Sequence, residues 1–174
     1  MPHSVVLAVA PSVTASPYGS FFDDIVAFLS RLVNASHADD LFLVVVDGPT
    51  RERIGNRLPE RYLLPGSVPD IWIRDFAPVH TASGSFKFRY RPGYLDGQVA
   101  QAIERGFMGW FCSVGLVAER VELVLDGGNF VYNGVDSAVA TERVLEDNPS
   151  WSRREISLEL QERLGLETLA VIPE

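Results

Sequence analysis

Short apolar segments rich in valine alternate with amphipathic helical patterns along this chain. Ser4–Ala10 and Leu41–Val46 each have the length and valine content of a buried strand. Between them, apolar residues recur at helical spacing from Phe22 to Val33, with Ser20 as the predicted N-cap. This alternation of strands and helices predicts an α/β fold with mixed sheets.

The C-terminal half repeats this alternation, and cap and turn residues mark the ends of its elements more clearly. Its predicted elements are a helix capped by Asp96, a strand at Val121–Leu125, a type I′ hairpin turn at Asn133-Gly134, a helix with a Ser152/Glu155 capping box that ends at Gly165, and a strand at Leu169–Ile172. The two halves suggest a loose internal repeat of about 80 residues. Since no linker or low-complexity segment interrupts the chain, residues 1–174 are predicted to form a single α/β domain.

The composition excludes several classes of partner. The net charge of −8 argues against nucleic acid, whose binding needs a positive surface, and against anionic membranes. No apolar stretch approaches the ~20 residues that span a bilayer, and the N-terminus lacks a secretory pattern. With one cysteine and no Cys/His cluster of metal-site spacing, we expect a cytoplasmic protein without a bound metal.

The six residues from Asp70 to Asp75 place two carboxylates, an indole and a guanidinium in an otherwise apolar segment. If this segment is a strand, Asp70, Trp72 and Arg74 share one face and Asp75 lies on the other. Carboxylates beside an aromatic ring suit a flat cation such as a guanidinium. The alternative is a surface turn in which Arg74 pairs with a neighbouring aspartate.

A second motif, Asp126-Gly127-Gly128-Asn129, follows the predicted strand at Val121–Leu125. Its glycines allow close backbone approach, and the flanking Asp126 and Asn129 could reach into a cleft at the strand end. The alternative is an ordinary tight turn, because Asp-Gly and Gly-Gly are common turn dipeptides.

Other residues with reactive or charged side chains have simpler explanations. Cys112 lies on an apolar helix with no base near it in sequence, so we expect a core position, and we expect His80 to be structural. The segment 86–91 alternates aromatic residues with cations, Lys87 among them. Arg89 and Arg91 could bind a carboxylate, but protection of an edge strand is the favoured explanation.

The two motifs together resemble those of the agmatine deiminase and bacterial peptidylarginine deiminase family. The first is Asp70-x-Trp72-x-Arg74-Asp75, and the second runs from Leu125 to Asn129. Two further stretches carry the same resemblance: Pro2–Leu7 with Pro11, and Thr141-Glu142 with Asn148-Pro149 before Ser152-x-x-Glu155. The resemblance covers nearly the whole chain.

The resemblance implies a pentein fold, a propeller of repeated αβ units around a central active site, of which this chain would hold about two of five. It also implies a reaction. A cysteine attacks a guanidinium carbon, ammonia leaves, and water releases a ureido product, with no metal or organic cofactor. The substrate would be a small guanidinium cation, either agmatine or an arginine peptide.

The resemblance also implies roles for the motif residues. Asp75 would hold the substrate guanidinium, Trp72 would line its pocket, and Asp126 would support the catalytic histidine, where the family often has glutamate. Residues that would shape or line the substrate site are Asp70, Arg74, Gly127, Gly128 and Asn129. We expect Asp75 and Asp126 to converge across one hollow beside the indole of Trp72.

The chain departs from the family in lacking a Gly-His-x-Asp element and a cysteine near the end. His80 and Cys112 do not stand in the matching positions. We therefore expect the N-terminal part of a propeller, inactive alone, that forms a homo-oligomer or pairs with a chain carrying the missing units. The alternative is a catalytically inactive module that binds guanidinium ligands or oligomerises.

Overall fold

The computed structural model describes residues 5–14, 16–36 and 40–173. These residues form two compact units, one ending at Ile73 and the other beginning at Arg74. The prediction of a single domain over residues 1–174 stays a prediction. The residues before Val5 in the N-terminal motif lie outside the described residues.

The first unit is built on a three-stranded parallel sheet. Its strands β1 (Val5–Val9), β2 (Leu41–Val46) and β3 (Leu63–Pro65) lie in that order, and α1 (Phe22–Ala35) and α2 (Gly48–Ile54) connect them. Parallel neighbours need a crossover connection, which the helices provide. The core of this unit consists of Ala10, Phe22, Val26, Leu29, Val33, Phe42, Val44, Val46, Ile54 and Leu58.

Two predictions for this unit were wrong. Ser20 lies in a 3-10 turn, Gly19–Phe21, and does not cap α1. The extra turn moves the N-cap position to Phe21, whose side chain cannot accept a hydrogen bond. The predicted loop at residues 61–69 contains β3, because an edge strand tolerates the proline at position 65.

The second unit contains two sheets of the same topology. The first has the order β4 (Val79–Thr81), β5 (Gly84–Arg89), β6 (Glu119–Val124), and the second has the order β7 (Phe130–Tyr132), β8 (Ser137–Thr141), β9 (Thr168–Ile172). In each sheet the first pair is antiparallel and the second pair is parallel. The described repeat is therefore this three-stranded unit, and not two halves of about 80 residues.

Helices make the parallel crossovers of the second unit. The short helix α3 (Ile73–Phe76) precedes the first sheet. The crossover helix of the first sheet is α4 (Gly97–Ser113), and those of the second sheet are α5 (Arg143–Glu146) and α6 (Arg153–Leu164). The predicted caps are confirmed: Asp96 accepts a hydrogen bond from the Gln98 amide, and Ser152 and Glu155 form the capping box. The core is formed by Phe86, Phe88, Val121, Leu123, Leu125, Phe130, Ala138, Ala140, Val144, Ile156, Leu160, Leu164 and Leu166.

Three local predictions for this unit need correction. The β7–β8 hairpin exists, but Asn133 does not have the positive φ that a type I′ turn requires, and its Oδ1 instead accepts three backbone amides across a longer loop. Lys87 is buried, although the alternation of its strand placed it with exposed cations. The strand of Arg89 is the central strand of its sheet, so edge protection does not explain this residue. Among the described residues, no helix has the length and apolarity to cross a membrane.

Candidate functional site

The segment of the first motif is a helical turn where a strand was predicted. The Asp70 side chain accepts a hydrogen bond from the Trp72 amide at 3.3 Å, and α3 then begins at Ile73. Such side-chain bonds to the backbone compete with strand pairing. The alternating faces predicted for residues 70–75 are therefore wrong, and Arg74 and Asp75 follow each other in one helical turn.

Aromatic packing anchors Asp75 in the second unit. The next residue, Phe76, is 1% exposed, and its ring lies edge-on against Tyr90 and Phe107, with both pairs of centroids 5.4 Å apart. Such edge-to-face pairs add about 0.5–1.5 kcal/mol each beyond burial. The buried ring thus holds the backbone that carries the adjacent carboxylate.

The second motif forms a capped turn after β6. Gly127–Asn129 is a 3-10 turn, and Asp126 Oδ1 accepts a hydrogen bond from the Gly128 amide at 2.8 Å. The chain enters this turn through Leu125, whose amide donates to the Arg89 carbonyl at 3.1 Å. The motif is therefore a tight turn, as the alternative explanation proposed, and the turn also orients the Asp126 carboxylate.

Arg74 holds this turn against its own backbone. Its Nε donates to the Gly127 carbonyl at 3.1 Å and its Nη2 to the Phe130 carbonyl at 3.3 Å. The backbones approach so closely that a Cβ on Gly127 would lie 1.9 Å from the Arg74 carbonyl oxygen. Only glycine fits at position 127 for this reason, since its φ is not in the left-handed region.

The two motifs bring two carboxylates together. A Cβ on Gly128 would lie 2.9 Å from Asp75 Oδ1 and 3.1 Å from Asp126 Oδ1. The two oxygens are therefore no farther apart than the sum of these distances, and both lie beside the space that a side chain at position 128 would fill. Two carboxylate oxygens at this separation can accept hydrogen bonds from the N–H groups of one planar cation.

A cavity of about 340 Å³ opens beside this pair, and we call it the carboxylate cavity. It is lined by Asp75, Pro92, Tyr94, Asp126, Gly128, Asn129, Arg143 and Asp147. Sequence reasoning missed Pro92, Tyr94, Arg143 and Asp147. The only signal for the last two was their place in the stretch between Thr141 and Pro149, which the family resemblance had marked.

The side chains that line the carboxylate cavity carry a net negative charge. Burial raises the pKa of Asp147, and the nearby Asp126 raises it further, while Arg143, 3.5 Å away, lowers it. Burial also raises the pKa of Tyr90, with smaller contributions from its hydrogen bond to Tyr94 and from the charges of the aspartates at positions 126 and 75. Burial is the main cause of both shifts, and the negative character of the cavity comes from its lining, which has three aspartates and one arginine and so favours a cation.

The whole length of the chain matches the model of one protein family. The model of the Porphyromonas-type peptidyl-arginine deiminase family matches residues 1–174. The chain belongs to this family. A comparison with curated protein sequences gave no match.

Solved structures of agmatine deiminases show the same fold as this family member. The Enterococcus faecalis enzyme has a TM-score of 0.72 and 18% identity, with 99% of this chain and 51% of that chain covered. The C. jejuni enzyme has a TM-score of 0.74 and 15% identity, with 98% and 53% covered. The chain thus spans about half the length of these structures, and the predicted partial pentein-type α/β fold is confirmed.

The first unit carries the other two residues predicted to bind substrate, Asp70 and Trp72. The Trp72 ring is exposed, and its Nε1 donates to the Tyr18 hydroxyl at 2.9 Å. Asp75 and Asp126 belong to the second unit. The predicted position of the Trp72 indole beside these two carboxylates stays a prediction.

Neither His80 nor Cys112 lines the carboxylate cavity. The His80 Nδ1 lies 2.7 Å from the Ser85 hydroxyl, its ring stacks on Phe111, and burial lowers its pKa. Cys112 is exposed, so its predicted core position is wrong: it lies on the side of α4 opposite the buried stripe. Within the described ranges, no group of three or more His, Cys, Asp and Glu side chains could hold a metal ion.

Proposed function

We propose that this family member takes part in the hydrolysis of a guanidinium group to a ureido group and ammonia. The observation that carries the proposal is the pair of oxygens, Asp75 Oδ1 and Asp126 Oδ1, which both border the space left open by Gly128. A guanidinium is planar, fully charged and a poor electrophile. Paired carboxylates orient it and compensate its charge, which lowers the entropic cost of attack at its carbon.

The surrounding residues have supporting roles in this proposal. Arg74 acts as a positioning residue, because its guanidinium bonds to the backbone of the turn that carries Asp126. Gly127 and Gly128 allow the close approach of backbone and ligand, and Asn129 lines the cavity. Tyr90 keeps its proton, so its hydroxyl can remain a hydrogen-bond donor near the carboxylates.

The nucleophile and the acid–base group are not assigned to residues of this chain. Cys112 and His80 lie outside the carboxylate cavity, and the thiolate chemistry implied by the family needs both groups at the guanidinium carbon. We therefore propose that the 174-residue chain binds the substrate but does not turn it over. The gene sequence after the codon for Glu174 tests this directly, since a Gly-His-x-Asp element and a late cysteine would complete the site.

Calorimetric titration with agmatine and with an arginine-containing peptide tests binding. Asp75→Asn and Asp126→Asn keep a hydrogen-bond acceptor and remove one charge, and each is expected to weaken binding by about 10- to 100-fold, since hydrogen bonds to charged groups contribute roughly 1.5–3 kcal/mol. Asp24→Asn, an exposed residue of α1, is the matched control for the loss of one charge. Equal affinities in all three variants would exclude the proposed role of the pair.

An ammonia-release assay separates the enzyme from a module that only binds. Guanidinium binding without ammonia release by the 174-residue chain agrees with the proposal, and release by this chain alone contradicts it. A version extended by downstream sequence should release ammonia. If such a version also remains inactive, the alternative of a catalytically inactive binding module is supported.

We further propose that the protein is cytoplasmic and that it forms a homo-oligomer or pairs with a chain carrying further units. Large apolar side chains exposed on both units support a partner surface. They include Val5, Phe21 and Phe28 in the first unit and Val117 and Val135 in the second. Light scattering after gel filtration should give a mass above that of one chain.

A further inference from the structure

A second cavity of the second unit has an unexpected charge. It has a volume of about 230 Å³ and lies between α4 and the strands β5 and β6, and none of its lining residues belongs to the carboxylate cavity. Its charged side chains are the cations Lys87, Arg89, Arg105 and Arg120 and the carboxylates Glu104 and Glu122. We call it the cationic cavity, because positive groups outnumber negative ones in a chain whose net charge is −8.

Lys87 is the buried cation of this cavity. It is 2% exposed, its Nζ donates to the Phe88 carbonyl, and Glu104 Oε1 lies 3.4 Å from it. The Glu104 carboxylate is shared, because its Oε2 also accepts the Tyr90 amide at 3.2 Å. Burial lowers the pKa of Lys87, Glu104 opposes this shift, and the positive charge of Arg120 adds to it. The ammonium is thus buried beside one carboxylate, and that carboxylate also accepts the Tyr90 amide.

Two further cations of the cavity have no carboxylate partner among the described residues. Arg105 on α4 donates to the neutral Gln101 Oε1 at 2.8 Å, and Arg120 on β6 makes no ion pair in the described part of the chain. Arg89 does pair with Glu122, but at 3.5 Å and with both side chains largely exposed. Exposed pairs of this kind contribute about 0–1 kcal/mol.

We propose that the cationic cavity binds a small oxyanion, a phosphate or carboxylate group, through the guanidinium groups of Arg105 and Arg120, with Lys87 lining the same cavity. Guanidinium groups match such oxyanions with bidentate hydrogen bonds, and a lysine ammonium adds a point charge. The helix and the strand each supply one guanidinium, so a bound anion would link α4 to the sheet. The site is separate from the carboxylate cavity, so it does not depend on the proposed function.

Titration of the full chain with inorganic phosphate at constant ionic strength tests this site. Arg105→Gln and Arg120→Gln replace exposed side chains, so the fold should persist, and each is expected to weaken phosphate binding by about tenfold. Arg31→Gln removes the same charge from an exposed position of α1, and it should leave the affinity within about twofold of the wild type.

Parallel titrations with citrate and with phosphate distinguish the two oxyanion sources. Saturable binding of either anion that depends on Arg105 and Arg120 supports the site and identifies its chemistry. Binding that Arg31→Gln weakens as much as the cavity variants indicates a general charge effect and overturns the proposal. The absence of saturable binding for both anions overturns it as well.

Discussion

Gly127 and Gly128 are adjacent, yet an alanine at each is expected to have a different effect. A Cβ at position 127 would lie 1.9 Å from the carbonyl oxygen and 2.9 Å from the carbonyl carbon of Arg74, which are backbone atoms. A Cβ at position 128 would meet the carboxylate oxygens of Asp75 and Asp126 at 2.9 and 3.1 Å, which are ends of mobile side chains. Neither glycine has a positive φ, so space alone decides the outcome.

The expected cost of Gly127→Ala follows from these contacts. Because real Cβ atoms essentially never approach another atom within 3.0 Å, the turn must move by about an ångström from Arg74. That shift adds overpacking strain of about 1–3 kcal/mol and weakens the two hydrogen bonds from the arginine to the turn. We expect the free energy of unfolding to fall by about 3–5 kcal/mol.

Gly128→Ala should instead affect binding. The two carboxylates must rotate away from the new methyl group, which also weakens the hydrogen bond from the backbone amide of residue 128 to Asp126, at a total cost of about 1–2 kcal/mol. The methyl group then occupies the space beside Asp75 and Asp126, so agmatine should lose most of its affinity. Gly109→Ala is the control, since nothing lies within 4 Å of its Cβ on α4 and the helix should gain up to about 1 kcal/mol.

Urea denaturation and agmatine titration of the three variants measure these effects. We expect a large loss of stability for Gly127→Ala, a loss of binding for Gly128→Ala, and a small gain of stability for Gly109→Ala. A Gly127→Ala variant as stable as the wild type would refute the steric reasoning. Agmatine binding by Gly128→Ala with the affinity of a wild type that does bind it would refute the reasoning about the second glycine.

Three further predictions concern stability. Asn148→Ala should lower the free energy of unfolding by about 2–4 kcal/mol, because the buried amide side chain makes three hydrogen bonds to the backbone of β6 and α5. The control Asn56→Ala, at an exposed position, should change this free energy little. Ser152→Ala should cost about 1 kcal/mol through loss of the capping box, and Ser20→Ala should have almost no effect in the same chemical denaturation assay. Since the pKa of Asp147 is raised above 3.8 in the folded state, its contribution to stability is present below that pH and is lost as the pH rises through the folded-state pKa. The stability of Asp147→Asn relative to the wild type should therefore increase over the same pH range, and an opposite trend would contradict the burial argument.

The sequence was sufficient to predict a helix or strand wherever its local pattern agrees with the tertiary packing. The helix between Ser152 and Gly165 has a capping box, three apolar residues at helical spacing and a glycine in the left-handed region after its last turn, and all three features are confirmed. The strand at Leu41–Val46 is confirmed with its predicted ends. Capping, periodicity and apolar runs act within a few residues, so they can be recognised without knowledge of the fold.

Packing between distant segments decided which side chains are buried and which of them lie close together. Lys87 alternates with aromatic residues as an exposed cation would, yet α4 and the neighbouring strand bury it, and Cys112 sits on an apolar helix but faces outward. The carboxylates of Asp75 and Asp126 meet only because the Arg74 backbone docks on a glycine far along the chain.

The sequence by itself determined most element types, the caps at Asp96 and Ser152 and, through its two motifs, the family. Only the tertiary structure decided which side of each element is covered and which distant side chains share a cavity, as Tyr94, Arg143 and Asp147 do. The physical reason is the distance along the chain over which each interaction acts. Hydrogen bonding and periodicity operate over single turns, whereas burial depends on what the rest of the chain places against a residue.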